Sequence, residues 1–173
     1  MVFFGHLGPT TAAFKLYEKI HKKETIDYRF VLVGAILPDL IDKPIGAFLF
    51  RNTFHNSRIF GHTLLFSLIL LSIGIGRIKR NKGNRIFTLG VSTSIHLILD
   101  SMQLYKGILF WPFLGFKFPE RPEGNWSQGT LQRLLTDPSY YLTEIVGFII
   151  IMYFFIKLIK NKRLNEFIRN GKL

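Results

Sequence analysis

The stretch IFTLGVSTSIHLILDSMQL, running from Ile86 to Leu104, decides the fold. It is apolar and long enough to cross a bilayer as a helix, yet it carries His96 and Asp100 four residues apart, which a helix stacks on one face. Ser92 and Gln103 continue that polar stripe while Leu97, Ile98 and Leu99 take the other faces. This is the pattern of a helix with one buried polar seam. An ionisable group in a lipid-facing helix costs at least about 2.5 to 3.5 kcal/mol on insertion scales, so it persists only when paired, hydrated or metal-bound.

Working outward, three more stretches have the length and apolarity of spans: Tyr28 to Phe50, Gly61 to Gly76 and Ser139 to Ile156. Pro38 and Pro44 must bend or break the first of them. Thr10 to Lys23 reads as an amphipathic helix capped at Pro9 and Thr10, too polar at its end to span alone. The expected fold is therefore all-α: a polytopic membrane helical bundle of about four transmembrane helices plus an N-terminal amphipathic helix. Residues 1 to 173 form a single domain, consistent with 48% hydrophobic residues, 18 Phe and a positive mean hydropathy. No internal repeat is visible. Met1 to Pro9 has no basic region or small-residue cleavage pattern, so a removable signal peptide is not expected.

The net charge of +12 raises nucleic acid as a partner, but the basic residues fall in short blocks between apolar stretches, where anionic lipid headgroups meet them. Membrane lipids are the expected partners and nucleic acid is not. Lys15, Lys19, Lys22 and Lys23 precede the first span; Arg77, Lys79, Arg80, Lys82 and Arg85 follow the second; Lys157, Lys160, Lys162 and Arg163 follow the fourth. The positive-inside rule puts all three blocks, and both termini, on the cytoplasmic side of a multi-pass protein of the inner, or plasma, membrane. The segment from Tyr105 to Pro138 lies on the other side, with Trp111 and Trp126 at headgroup level and Ser127 to Thr136 as a short interfacial helix.

Depth sharpens the reading. At 1.5 Å per residue from the nearest basic boundary, Asp39 lies about 16 Å up, Asp42 and Asp100 about 21 Å, His96 about 15 Å, His62 about 22 Å, Glu144 about 20 Å and His6 about 14 Å. Independent helices thus deliver their ionisable groups to one layer in the outer half of the bilayer. Singly, each His is equally explained by hydrogen-bonded packing, and Asp42 by a helix-end ion pair with Lys43. Together they are not, because unpaired carboxylates repel unless a cation neutralises them, and Lys43 is the only basic residue expected near that layer. With no cysteine in the chain, any metal must be held by imidazole and carboxylate, a donor set that suits zinc, with manganese the alternative. His55, in the outer loop, is an accessory candidate, and His21 an ordinary member of the basic helix.

Four pieces, in order, carry a resemblance: Gly34-Ala-Ile-Leu-Pro-Asp39-Leu-Ile-Asp42, Arg58-Ile-Phe-Gly-His62-Thr, His96-Leu-Ile-Leu-Asp100-Ser and Leu109-Phe-Trp-Pro112-Phe. With the early His6 they resemble the motifs of the YdjM-like family, inner-membrane proteins described as LexA-binding, metal-dependent hydrolases. LexA binding has no visible basis in this sequence. The His/Asp pattern is also similar, more distantly, to zinc-dependent phospholipase C. The resemblance implies a helical membrane domain with His6, Asp39, His62, His96 and Asp100 as metal ligands and Asp42 and Glu144 nearby. In one departure, Ser57-Arg58 stands where family members often carry a His-Arg pair.

The function expected is hydrolysis of a phosphoester in a lipid or other amphiphilic substrate by water activated on one or two ions. Asp42 or Glu144 is the expected proton acceptor. Arg58 is a candidate to hold a phosphate, with headgroup anchoring as its alternative. Two other readings use the same residues: an ion or proton transport protein, and a non-catalytic membrane adaptor with a structural metal and a basic tail for lipid or a partner. Oligomeric state is not legible.

Overall fold

Short polar side chains set several of the helix starts. Asp27 accepts from the Arg29 amide at 3.3 Å, Thr63 from the Phe66 amide at 3.1 Å, and Asp137, with Pro138 behind it, from the Ser139 amide at 2.9 Å. Each satisfies a backbone donor that a helix N-terminus leaves without a partner. The computed structural model describes residues 2–22, 25–120 and 132–173. Its main helices are α1 (Phe4–His21), α2 (Tyr28–Asp42), α3 (Leu64–Lys79), α4 (Arg85–Leu99), α5 (Pro138–Lys160) and α6 (Leu164–Asn170). No strand occurs among the described residues. Trp126 and the first half of the expected Ser127 to Thr136 helix lie outside the described residues; 132–136 are helical.

The first helix starts earlier than its sequence suggests. Thr10 was the expected cap, but α1 already begins at Phe4 and runs through Pro9. The cause is tertiary. Glu144 of α5 accepts hydrogen bonds from the amides of Val2, Phe3, Phe4 and Gly5 at 2.7, 3.0, 2.8 and 3.2 Å, replacing the local cap with a carboxylate at the positive end of the helix dipole. The first expected span also differs from its reading. α2 passes through Pro38 and, at Pro44, widens into a π-helical segment, Lys43–Leu49, because Pro44 has no amide to donate and its ring displaces the preceding turn.

α4 packs against both α2 and α3, while α1 packs against α2 and α5. Small residues allow these approaches. A Cβ on Gly34 would sit 2.7 Å from the Leu89 carbonyl of α4, and Gly8 and Gly147 face each other so closely that a Cβ on either would collide with the other helix's backbone. Gly147→Ala is accordingly expected to cost about 1–3 kcal/mol by overpacking. A thermal-unfolding midpoint in detergent equal to that of the unsubstituted protein would contradict the contact.

The polarity is inverted relative to a water-soluble bundle. His6, Thr10, Thr11, Asp42, His62, Ser67, Ser92, Thr93 and His96 are buried, while Leu142, Ile145, Val146, Ile149, Phe155, Ile156 and Ile159 of α5 and Leu68, Ile69, Ile73 and Ile75 of α3 lie open. Apolar exterior and polar interior suit a lipid surrounding. Of the four expected spans, α5 alone among the described helices is long and apolar enough to cross a membrane, with 23 residues and mean hydropathy 2.2. α3 starts at Leu64 and not Gly61, and α4 ends at Leu99 where Ser101 turns left-handed at φ 53°. At 16 and 15 residues they reach about 24 and 22 Å, short of the ~30 Å hydrocarbon core.

The C-terminal basic stretch is not a free tail. α6 folds back so that Phe167 and Leu173 pack on Phe14, Ile26, Tyr28 and Val31, the Tyr28 amide donates to the Gly171 carbonyl at 2.8 Å, and Arg29 donates to the Ile168 and Arg169 carbonyls.

Candidate metal centre

Three imidazoles meet where α1, α2 and α4 converge on the loop before α3. His6, His62 and His96 are each 0% exposed. His6 stacks on His96 with ring centroids 4.0 Å apart, and the Nε2 atoms of His62 and His96 are 3.3 Å apart. Asp39 Oδ1 and Asp100 Oδ2 each lie 3.6 Å from His62 Nε2, and Asp100 Oδ1 lies 3.3 Å from His6 Nε2. The five residues that the resemblance implied as ligands are thus brought together.

Backbone chemistry orients them. Pro38 cannot donate to the Gly34 carbonyl four residues back, and that carbonyl accepts from Thr93 Oγ1 at 3.3 Å, tying α2 to α4. One residue on, the Ala35 carbonyl accepts from His96 Nδ1 at 2.7 Å. Asp42, fully buried, accepts from the amides of Ile59 at 2.7 Å, Gly61 at 2.7 Å and His62 at 3.1 Å, and from His62 Nδ1 at 2.7 Å. Both rings therefore hold a proton on Nδ1, and their Nε2 atoms point at each other.

Two imidazole nitrogens 3.3 Å apart hold either a shared proton or a cation between them. Tetrahedral coordination at Zn–N distances of about 2.0–2.1 Å separates two nitrogens by about 3.3 Å. A carboxylate on the far nitrogen of a ligating His, as Asp42 supplies to His62, is the usual partner that fixes the ring's tautomer. The donor set fits a divalent cation. Two groupings can form it: Asp39, His62 and His96, or His6, His96 and Asp100. Both need His96, whose Nδ1 is already spent on Ala35, so they compete for a single lone pair.

Three expectations change. Asp42 accepts four hydrogen bonds and serves as the positioning carboxylate of His62, so neither of its oxygens is free to take a proton. Glu144 is likewise committed, capping α1 through four amides. Arg58 is not merely a headgroup anchor: its Nη2 lies 2.5 Å from Asp100 Oδ2, under the ring of Tyr105 at 5.8 Å. Lys43 pairs with Asp39 at 2.6 Å and not with Asp42, the expected partner, so two cations and not one reach the layer. Arg58 comes within reach because the amides that bind Asp42 fold residues 59–62 back over the site. His55 is exposed, ends the turn Arg51–Phe54 in a left-handed conformation and stays outside the cluster.

Sequence reasoning missed Ala35, whose carbonyl matters and whose side chain does not. The signal was Pro38, which loosens the carbonyls of the preceding turn. Asp42→Asn is expected to weaken metal affinity 10- to 100-fold while leaving the helical content intact; isothermal titration with zinc checks it, and unchanged affinity would remove Asp42 from the site.

A family model described as YdjM inner membrane protein matches residues 1–164. The chain belongs to this family. The match spans every residue of the YdjM cluster described above and points to the inner membrane, in accord with the inverted polarity of the helices. No curated protein and no solved structure matches, so the likeness of the YdjM pattern to zinc-dependent phospholipase C has no support beyond the motifs themselves.

Proposed function

We propose that the protein is a multi-pass inner-membrane hydrolase that uses one divalent cation, zinc by preference, to cleave a phosphoester in an amphiphilic substrate. The observation that carries this reading is the pair of Nε2 atoms held 3.3 Å apart by Nδ1 donation to Ala35 and Asp42, with Asp39 within reach as a third ligand. His62 and His96 with Asp39 form the ligand set, and Asp100 stands beside it. A bound ion supplies Lewis-acid polarisation and an acidified water.

The protein's own groups supply the rest. With Asp42 and Glu144 committed, His6 is the group placed to move a proton: it is buried, its Nδ1 has no hydrogen-bond partner, and its Nε2 has only the 3.3 Å approach to Asp100. Arg58 and Lys43, 15% and 22% exposed, are held on Asp100 Oδ2, the oxygen that also approaches His62, and on Asp39 Oδ2, the oxygen turned away from it; there they favour an anionic substrate group and suit a phosphate. Phe113, Leu114 and Phe116, exposed in the loop that follows α4, offer an apolar platform for the substrate's tail.

The membrane arrangement supports the same assignment. The C-terminal ends of α1, α3 and α5 carry Lys19, Lys79 and Lys160, while the His/Asp cluster lies at the opposite ends of α2 and α4. By the positive-inside rule the C-terminus is cytoplasmic and the site belongs to the outer half of the bilayer; the N-terminus, held by Glu144 at the end of α1 that carries His6, then lies with the site and not with the basic blocks as expected from the sequence.

Protein purified in detergent without chelator is expected to carry close to one equivalent of zinc or manganese by elemental analysis, and to release phosphate or a phosphorylated headgroup from a panel of lipid phosphoesters. Well-folded protein that is metal-free and takes up no added metal would overturn the hydrolase reading in favour of an ion or proton pathway.

A further inference from the structure

At the end of the bundle away from the His/Asp cluster, α1 and α4 diverge and leave an apolar groove of about 1070 Å³. Phe14 and Tyr17 of α1 form one wall, and Phe87, Val91 and Ile95 of α4 the other. The α4 residues fall four apart and make one continuous stripe, about 12 Å long. The groove's mouth lies at the loop between α3 and α4, where Asn81, Gly83 and Asn84 replace the apolar lining.

The same loop is basic. Arg80 and Lys82 line, with Arg77, a smaller recess of about 300 Å³ whose floor is Ile73 and Gly76. The described carboxylates of this end are already engaged. Glu18 is buried and binds Lys15, the Tyr28 hydroxyl and the Ile26 amide; Asp27 binds Arg29 and Arg85; Glu166 binds Arg163. Among the described residues Arg80 and Lys82 have no carboxylate partner, so the loop that borders the apolar groove is basic.

We propose that this groove holds one acyl chain of an anionic phospholipid from the cytoplasmic leaflet, with its phosphate resting on Arg80 and Lys82. Charge and apolarity lie side by side at the depth where such a lipid joins its phosphate to its chains, and basic pockets between helices on that side are the usual receptors for anionic headgroups. A water-soluble anion would leave the apolar walls uncovered. An acidic peptide would use the loop but not a groove that reaches Ile95.

The test is native mass spectrometry of the full chain released from detergent micelles with phosphatidylglycerol or phosphatidylcholine of matched chains. The unsubstituted protein is expected to retain one phosphatidylglycerol, with a preference on the order of tenfold over phosphatidylcholine from two cations. Arg80→Glu with Lys82→Glu should abolish the preference. Ala13→Trp, which plugs the groove from an exposed position on its wall, should abolish retention of both lipids; Ala13→Leu, a smaller plug for use if the larger does not purify monodisperse, should reduce it. Equal retention of the two lipids by the unsubstituted protein overturns the headgroup assignment. Retention of phosphatidylglycerol unchanged by the plug overturns the groove, leaving only a basic loop at the membrane surface. Metal content should stay unchanged in every variant, which keeps this outcome separate from that of the hydrolase reading.

Discussion

His96→Ala is expected to strip the protein of metal, whereas His6→Ala should keep it and lose turnover. The difference follows from one nitrogen. His96 Nε2 is the shared member of both possible ligand groupings, and its orientation is fixed by the Nδ1 bond to Ala35 at 2.7 Å, so removing the ring leaves neither grouping with three donors. His6 is required only by the grouping that contains Asp100. If the ion sits with Asp39, His62 and His96, then His6→Ala retains about one equivalent by elemental analysis, and its hydrolytic rate falls 10²- to 10⁴-fold, the usual loss when a positioned proton-transfer group is removed. Asp39→Asn is the counterpart, expected to lose metal and activity together. Metal lost from His6→Ala but kept in Asp39→Asn would move the ion to the other grouping and return His6 to the role of ligand. Metal kept in His96→Ala would sink the centre altogether.

The cluster was legible because ionisable residues inside long apolar runs stand out in one sequence. Counting residues from the basic boundaries placed His6, Asp39, His62, His96 and Asp100 in one layer, and the structure brings all five together. The roles of the surrounding carboxylates were not legible, since depth along a helix says nothing of direction. Glu144 has the same calculated height as Asp100, yet it turns toward the start of α1. Asp42 turns toward amides seventeen to twenty residues away in sequence. Arg58 was misplaced for a related reason: a loop residue has no rise per residue to count, and its position depends on the fold-back that Asp42 creates. The helical class was plain from apolar runs, but helix ends were not. Thr10 looked like a cap, and only a residue more than 130 positions away supplies the real one.

That distant cap leads to the largest expected loss of stability. Glu144→Ala leaves the amides of Val2, Phe3, Phe4 and Gly5 without their acceptor in a setting where the helix around Glu144 faces lipid and water is scarce. An unsatisfied buried donor costs about 1–3 kcal/mol; these four bonds are part-buried or exposed and fraying of the first turn recovers some of the loss, so a net loss of about 3 kcal/mol is expected. The loss should be local in origin. Hydrogen exchange is expected to quicken at the start of α1 and to leave α3 and α4 unchanged, because α1 is held to α5 by this cap and by the Gly8–Gly147 contact. Glu144→Gln discriminates between roles: it keeps the shape but turns one acceptor into a donor that faces amides, so a cap predicts a lower unfolding temperature for Gln as well as for Ala. A catalytic base predicts the opposite pattern, a Gln variant as stable as the unsubstituted protein with turnover abolished. Since α1 carries His6 into the cluster, loss of the cap should also slow hydrolysis, and adding Phe3→Asp at the N-cap position of the helix should restore stability and turnover together.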